Sequence, residues 1–241
     1  MVSGEGDRPS PFFLLLLWLA MAKPNLVIFD FDGTLYPFRP YDSEQTLVLS
    51  HAKTKGPLFR LRARLFVRAD RRGAFNNPQF YKRYEKMIRD VDPELVEKTA
   101  RDLAELLSEE DRAAIRALTE VADLAILSLG TENLAEFFLE ELGLREEFFL
   151  IKAKRIRWKK GKAYLKVNIG EAEGKRTNLE ALRKTYKKIV AIGDGPTDLP
   201  MLEAADLGLL LIWGAESSPH PFELHSSLPS ACNRAKEFLT S

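Results

Sequence analysis

Cysteine is almost absent from this sequence. Cys232 is the single thiol in 241 residues, so neither an internal disulfide nor a thiolate zinc site can form. Histidine is nearly as scarce, and His51, His220 and His225 lack a metal-ligand cadence, so any resident metal must be held by oxygen. Charge of one sign is missing too. Thirty-six Lys plus Arg face 35 Asp plus Glu, a formal net charge of +1, which excludes a global field that steers nucleic acid or acidic partners. Electrostatics that matter are therefore local. The apolar run Phe12 to Ala22 is too short to span a bilayer: as a helix it reaches about 16 Å against a hydrocarbon core of roughly 30 Å. What is present, 45% hydrophobic and 29% charged residues with 14 Gly and 13 Pro, excludes bulk disorder, collagen and a coiled-coil rod. The length suits one α/β domain with a sizeable insertion, or two small domains.

The first 24 residues stand apart. Their apolar run follows a start carrying Glu5, Asp7 and Arg8, the wrong sign for secretion, although Ala20-Met21-Ala22 has the small-x-small form of a cleavage site. An inert extension, or a start at Met21, is preferred to export, and a cytoplasmic protein is expected.

Asn25 to Phe31 is a short apolar run without polar alternation until its acidic end, the pattern of a strand buried on both faces of a parallel sheet. The runs at 122–129, 188–192 and 207–213 read the same way. Between the first two the pattern is helical from Tyr41 to about Glu120, with helix starts at Asp92-Pro93 and Ser108. This excess over a βαβ crossover predicts an inserted helical cap over 41–118, with a core formed by 25–40 and 119–241. Thr131 is expected to cap a helix closed by Gly143. A hairpin is expected around Lys160-Gly161, and a helix from Lys175 to Tyr186. The fold class is α/β, a Rossmann-like parallel sheet core carrying that cap.

Asp30 and Asp32 lie at the carboxyl end of the first strand in FDFDGTLY, where Gly33 and Thr34 turn the chain. Asp194 and Asp198 follow another buried strand in IGDGPTDLPML, and strands of one parallel sheet end on the same edge. Four carboxylates converging without a base would destabilise the fold unless a divalent hard cation offset their repulsion, which points to Mg²⁺. Either Asp30 or Asp32 could attack phosphorus from a rigid strand end. Ser128, Gly130 and the helix start at Thr131 offer donors to a phosphate on the same edge, although a serine there is more often a turn residue. Lys175 opposes its helix dipole, which favours a functional role, but Lys162, Lys166 and Arg176 compete for it on spacing alone.

These pieces, FDFDGTLY, LSLGT, the lysine of GKRTNLEAL and GDGPTDLPML, resemble in order the motifs of the haloacid dehalogenase (HAD) superfamily of phosphatases and phosphotransferases. The match spans most of residues 25 to 213, and the hairpin before Lys175 is similar to that of the phosphoserine-phosphatase-like branch with a C1 cap. The resemblance implies that Asp30 is the nucleophile that forms an aspartyl-phosphate and Asp32 the acid that protonates the leaving oxygen, then activates water. It implies that Ser128 and Lys175 hold phosphoryl oxygens, with Gly33, Thr34 and Gly130 around the phosphate. Mg²⁺ is then held by the Asp30 carboxylate, the Asp32 backbone carbonyl and Asp194, with Asp198 supporting.

Departures from that pattern limit the substrate. Leu129 stands where phosphoserine phosphatases have a glycine, Thr197 replaces an asparagine, and Arg39 occupies the place of the acid that receives a substrate ammonium. Asp42 or Glu44 could take over that task. The expected activity is phosphomonoester hydrolysis of a small phosphorylated metabolite. Phosphoserine specifically, a non-catalytic polyanion or nucleic-acid binder, and a lipid-phosphate phosphatase anchored through Phe12 to Ala22 are the alternatives. Two basic stretches, from Lys53 to Arg72 and from Lys152 to Lys162, read as solvated faces unless their charges share one surface. Trp158 and Phe66 read as packing residues.

Overall fold

Leu26, Val27, Ile28 and Phe29 are all fully buried, and this two-sided burial is why β1 (Asn25–Phe29) occupies the middle of the sheet. Val27 and Phe29 face one hydrophobic core while Leu26 and Ile28 face another, as the two-residue pleat requires. The computed structural model describes residues 24–37 and 40–241. Expectations resting on Phe12 to Ala22, on a start at Met21 and on Arg39 lie outside the described residues.

After β1 come five helices, α1 (Ser43–Lys53), α2 (Pro57–Asp70), α3 (Asn77–Ile88), α4 (Pro93–Ala104) and α5 (Glu109–Leu118). Then follow β2 (Asp123–Thr131), α6 (Glu132–Glu141), the hairpin β3 (Phe148–Lys159) and β4 (Lys162–Val167), and α7 (Ala172–Leu182). The chain ends with β5 (Lys188–Gly193), α8 (Leu199–Ala204), β6 (Leu207–Leu211), β7 (Glu223–His225) and α9 (Leu228–Thr240). The strands lie in the order β4-β3-β2-β1-β5-β6-β7, and every neighbouring pair is parallel except β3 with β4.

Local chemistry explains most of the punctuation. Lys160 and Gly161 both have positive φ (52° and 72°), the backbone of a tight two-residue hairpin, as the Lys-Gly pair predicts. Gly143 ends α6 in the left-handed region, and the Leu144 N–H reaches back to the Leu139 carbonyl at 2.8 Å. Pro93 sits at the start of α4 behind the capping Asp92, and Ser108 with Asp111 forms a reciprocal capping box on α5. Thr131 precedes α6 as expected, but its hydroxyl donates to Glu44 rather than capping the helix. The helix carrying Lys175 starts at Ala172, three residues earlier than the sequence suggests.

α1, α2 and α3 pack on one another, α1 also packs on α4 and touches β2, and α3 touches β4. α4 lies against α6 and α5 against α9, and α6 and α9 pack on the sheet. Trp158 donates its indole N–H to the Val91 carbonyl at 3.0 Å, and Phe66 stacks on Phe75 and Phe80, so both are packing residues.

From β1 the chain builds outward through β2, β3 and β4, then returns to the far side of β1 for β5, β6 and β7. The carboxyl ends of β1 and β5 therefore flank a topological switch point, where open parallel sheets leave a crevice. Among the described residues, no helix is long and apolar enough to cross a membrane.

Candidate active site

Asp30 is the first residue beyond β1, and its N–H donates to the Ile192 carbonyl of β5 at 2.9 Å. The backbone is thus fixed up to the sheet edge. Lys175, fully buried on α7, reaches that edge and donates from Nζ to Asp30 Oδ1 at 2.6 Å and to Asp198 Oδ1. Asp198 is also fully buried, and its Oδ2 accepts the N–H groups of Asp194 (3.0 Å) and Gly195 (3.1 Å). Both oxygens of Asp198 are engaged, and they fold the loop that carries Asp194. Gly193 makes this possible, because a Cβ there would stand 2.6 Å from Asp198 Cγ.

Asp32 is held from the opposite wall. Its Oδ1 accepts the Ser43 N–H at 2.7 Å and the Tyr36 hydroxyl, and its Oδ2 accepts the Ser43 hydroxyl at 3.0 Å. Ser43 opens α1 behind the N-cap Asp42, so a first-turn N–H with no partner inside the helix finds one in Asp32. Gly130 approaches the same carboxylate closely enough that a Cβ would lie 2.5 Å from Asp32 Oδ2. Ser128, nearly buried, accepts the Gly130 N–H on its hydroxyl at 3.0 Å, which leaves the hydroxyl proton to donate.

A cavity of about 350 Å³ opens between these walls, and Asp30, Asp32, Ser128, Gly130, Lys175 and Asp194 line it. Asp198 stands behind the lining. Gly33 and Thr34, expected around a phosphate, do not line the cavity. Gly33 has φ of 83° and gives its carbonyl to the Trp213 indole, while the Thr34 N–H closes a turn on the Phe31 carbonyl. Their backbone makes the turn that follows Asp32.

Sequence reasoning missed Lys154 of β3 and its pairing with Glu44 of the helical insertion. Lys154 Nζ is buried against Glu44 Oε2 at 3.0 Å and the Leu129 carbonyl, and the Thr131 hydroxyl donates to Glu44 Oε1 at 2.5 Å. This network ties α1 to the strand end that bears Ser128. It also engages Glu44 fully, so of the two acids considered for a substrate ammonium only Asp42 still faces the cavity without a cationic partner. Lys154 was hidden in a basic run read as solvated, and its inward pleat position was the available signal.

Burial, reinforced by the charge of Asp198, pushes the Asp194 carboxyl up to about 9 and that of Asp30 to about 7, with Lys175 partly opposing both shifts. Burial alone would push the Lys175 ammonium down, but Asp198 and Asp30 outweigh it and hold it above the ordinary lysine range. Asp30, Asp194 and Asp198 each place a carboxylate oxygen within 4.8 Å of the other two. One ammonium does not balance three carboxylates, and an all-oxygen donor set with excess negative charge fits a hard divalent cation.

The sign of the pH dependence follows. In metal-free protein the folded state holds protons on Asp194 and Asp30 that the unfolded chain, with an ordinary carboxyl value of 3.8, has released. Stability of the metal-free protein is therefore expected to fall as pH rises from about 4 toward 9, and a divalent cation is expected to oppose the fall. Urea midpoints measured in EDTA across that window check it, and midpoints that climb with pH contradict it.

Comparison with known proteins agrees with this geometry. The family model for haloacid dehalogenase-like hydrolases matches residues 24–206. A substrate-bound phosphoserine phosphatase complex superposes with a TM-score of 0.66 at 19% identity, covering 90% of this chain and 98% of that one. A phosphoserine phosphatase from T. onnurineus gives 0.60 at 22% identity, with coverage of 89% and 95%. A HAD family hydrolase from Salmonella enterica subsp. enterica serovar Typhi gives 0.63 at 18%, with coverage of 90% and 77%. At these identities the likeness is one of fold. No curated protein sequence matches significantly. With three quarters of its length under one family model and the four motifs gathered at one sheet edge, the chain belongs to the haloacid dehalogenase-like hydrolase family.

Proposed function

We propose that this protein is a Mg²⁺-dependent phosphomonoester hydrolase that acts on a small phosphorylated metabolite through an aspartyl-phosphate on Asp30. The observation that carries the reading is the buried Asp30–Lys175 pair at the floor of an open cavity whose rim holds Asp32, Ser128 and Asp194. Asp30 Oδ2 is not engaged by Lys175 and is the oxygen free to attack phosphorus. The phosphorus–ester oxygen bond breaks as the Asp30 oxygen–phosphorus bond forms, and Asp32 gives its proton to the departing oxygen. Water then attacks the same phosphorus, Asp32 takes a proton from that water, and inorganic phosphate leaves with the Asp30 carboxylate restored. Lys175 and the Ser128 hydroxyl place positive charge against the phosphoryl oxygens. Mg²⁺, held by the Asp30 carboxylate, the Asp32 backbone carbonyl and Asp194 with Asp198 supporting, would neutralise charge on the transferring group.

Ser43 and Tyr36 act through Asp32. Three donors aimed at one carboxylate fix its direction, and this supports the acid–base role of Asp32 over a role as nucleophile. The insertion's share of the cavity wall comes from residues between Asp42 and Tyr81. Closure of the insertion over the cavity excludes bulk water.

Turnover of p-nitrophenyl phosphate is the test. Activity is expected to vanish in EDTA and to return with added Mg²⁺; equal rates in both conditions would reject the metal requirement.

A further inference from the structure

α2 carries a feature that the hydrolytic site does not use. Ala63, Phe66 and Val67 bury one face of this helix, while Leu58, Leu61 and Leu65 on the other are 73%, 54% and 57% exposed. Spacings of three and four residues place these leucines in one stripe of roughly 60° on the helix surface. Arg64 and Arg68 flank the stripe on one side and Arg62 on the other, all exposed. Among the described residues, no ion pair engages Arg62, Arg64, Arg68 or Arg72. From Lys53 to Arg72 the only acid is Asp70, against eight basic residues. Beside the stripe, Arg64, Arg68, Arg71 and Arg72 line a groove of about 510 Å³ with Tyr41 and Leu49, and the Arg71 guanidinium lies over the Tyr41 ring. Four arginines of this basic stretch thus share a surface, while Lys55 is paired with Asp90. The second stretch does not behave in the same way, because Lys154 and Arg155 are paired with acids.

Candidate partners differ in which half of this surface they satisfy. A second copy of the chain would set one arginine face against another, and like charges oppose that contact. Nucleic acid would engage the arginines and leave three leucines in water. A bilayer containing anionic lipid satisfies both, since an interfacial helix buries its apolar stripe at the headgroup boundary while flanking arginines meet lipid phosphates. We propose that α2 docks this protein on an anionic membrane surface, with Leu58, Leu61 and Leu65 entering the acyl boundary and Arg62, Arg64, Arg68 and Arg72 pairing with headgroups. The helix lies in the membrane plane and spans nothing. This attachment is separate from the Phe12 to Ala22 run and independent of the hydrolytic chemistry.

Sedimentation of the full chain with phosphatidylcholine vesicles, with and without about 30% phosphatidylserine, tests the proposal. The parent is expected to sediment only with the anionic vesicles and to be released by high salt. Charge reversal by R62E/R64E/R68E is expected to weaken partitioning by at least about 100-fold, from roughly fivefold for each positive charge lost and further repulsion from each glutamate. The triple variant L58S/L61S/L65S is expected to weaken it at least ~10-fold. All six positions are exposed, so thermal unfolding and p-nitrophenyl phosphate turnover are expected to match the parent. A parent that ignores anionic vesicles overturns the proposal. So does a leucine variant that binds them as the parent does, the result if Phe12 to Ala22 carried the attachment, or if a labelled oligonucleotide competed equally well before and after the leucine change.

Discussion

Asp30→Asn is expected to lower p-nitrophenyl phosphate turnover by about 10³-fold or more, the scale at which loss of a nucleophile registers in other covalent enzymes. The amide keeps the shape of the carboxylate and its place beside Lys175 but removes the anionic oxygen that must bond to phosphorus. Asp198 continues to pair with Lys175, so the buried ammonium is not left alone and the variant is expected to stay folded. Steady-state assays with excess Mg²⁺ measure the loss. A variant within tenfold of the parent contradicts the role given to Asp30.

Lys175→Met has the largest expected effect on stability. The ammonium is fully buried between two carboxylates, and removing one member of a buried ion pair leaves uncompensated charge in a poorly solvated site, at a cost of about 3–5 kcal/mol. Methionine fills the volume, so the loss is electrostatic rather than a cavity effect. Turnover is expected to fall as well, because the same ammonium is proposed to face the phosphoryl oxygens. Urea unfolding near neutral pH, without added metal, reads the stability term. A change below about 0.5 kcal/mol, the range of an ordinary surface substitution, contradicts the role of this pair.

The site was legible in the sequence where its residues sit beside strand ends. Asp30, Ser128 and Asp194 each follow a run of apolar residues that must be a buried parallel strand, and parallel strands bring their ends to one edge without further information. Lys175 was harder, because nothing local separates it from Lys166 or Arg176. Its reach to Asp30 spans 145 positions and becomes visible only when α7 packs on the sheet. Glu44 and Lys154, 110 positions apart, were illegible for the same reason, since a buried charge is recognised by its partner and not by its neighbours in sequence. Gly33 and Thr34 are a different case: their motif is local, yet the Thr34 N–H turns back to the Phe31 carbonyl and neither residue lines the cavity, which depends on backbone angles that composition does not report. The helical insertion was visible as an excess of periodic pattern. Which helices cover the sheet and which cover the crevice was not, because an apolar stripe has the same appearance against either surface.

The acid–base role proposed for Asp32 rests on a constellation from three places in the chain. Tyr36 comes from the turn after β1, Ser43 from the first turn of α1, and Gly130 clears the space at the end of β2. Tyr36 and Ser43 hold the Asp32 carboxylate in place, and because Ser43 opens α1 this ties the helical insertion to the proposed proton transfer.

The most direct measurement is an acid quench of the enzyme during turnover of p-nitrophenyl phosphate, followed by peptide mass spectrometry. The account predicts one phosphoryl group on the peptide that contains Asp30, absent in Asp30→Asn. Phosphorylation at any other residue, or steady turnover with no trapped phosphoryl group at the earliest quench times, contradicts it.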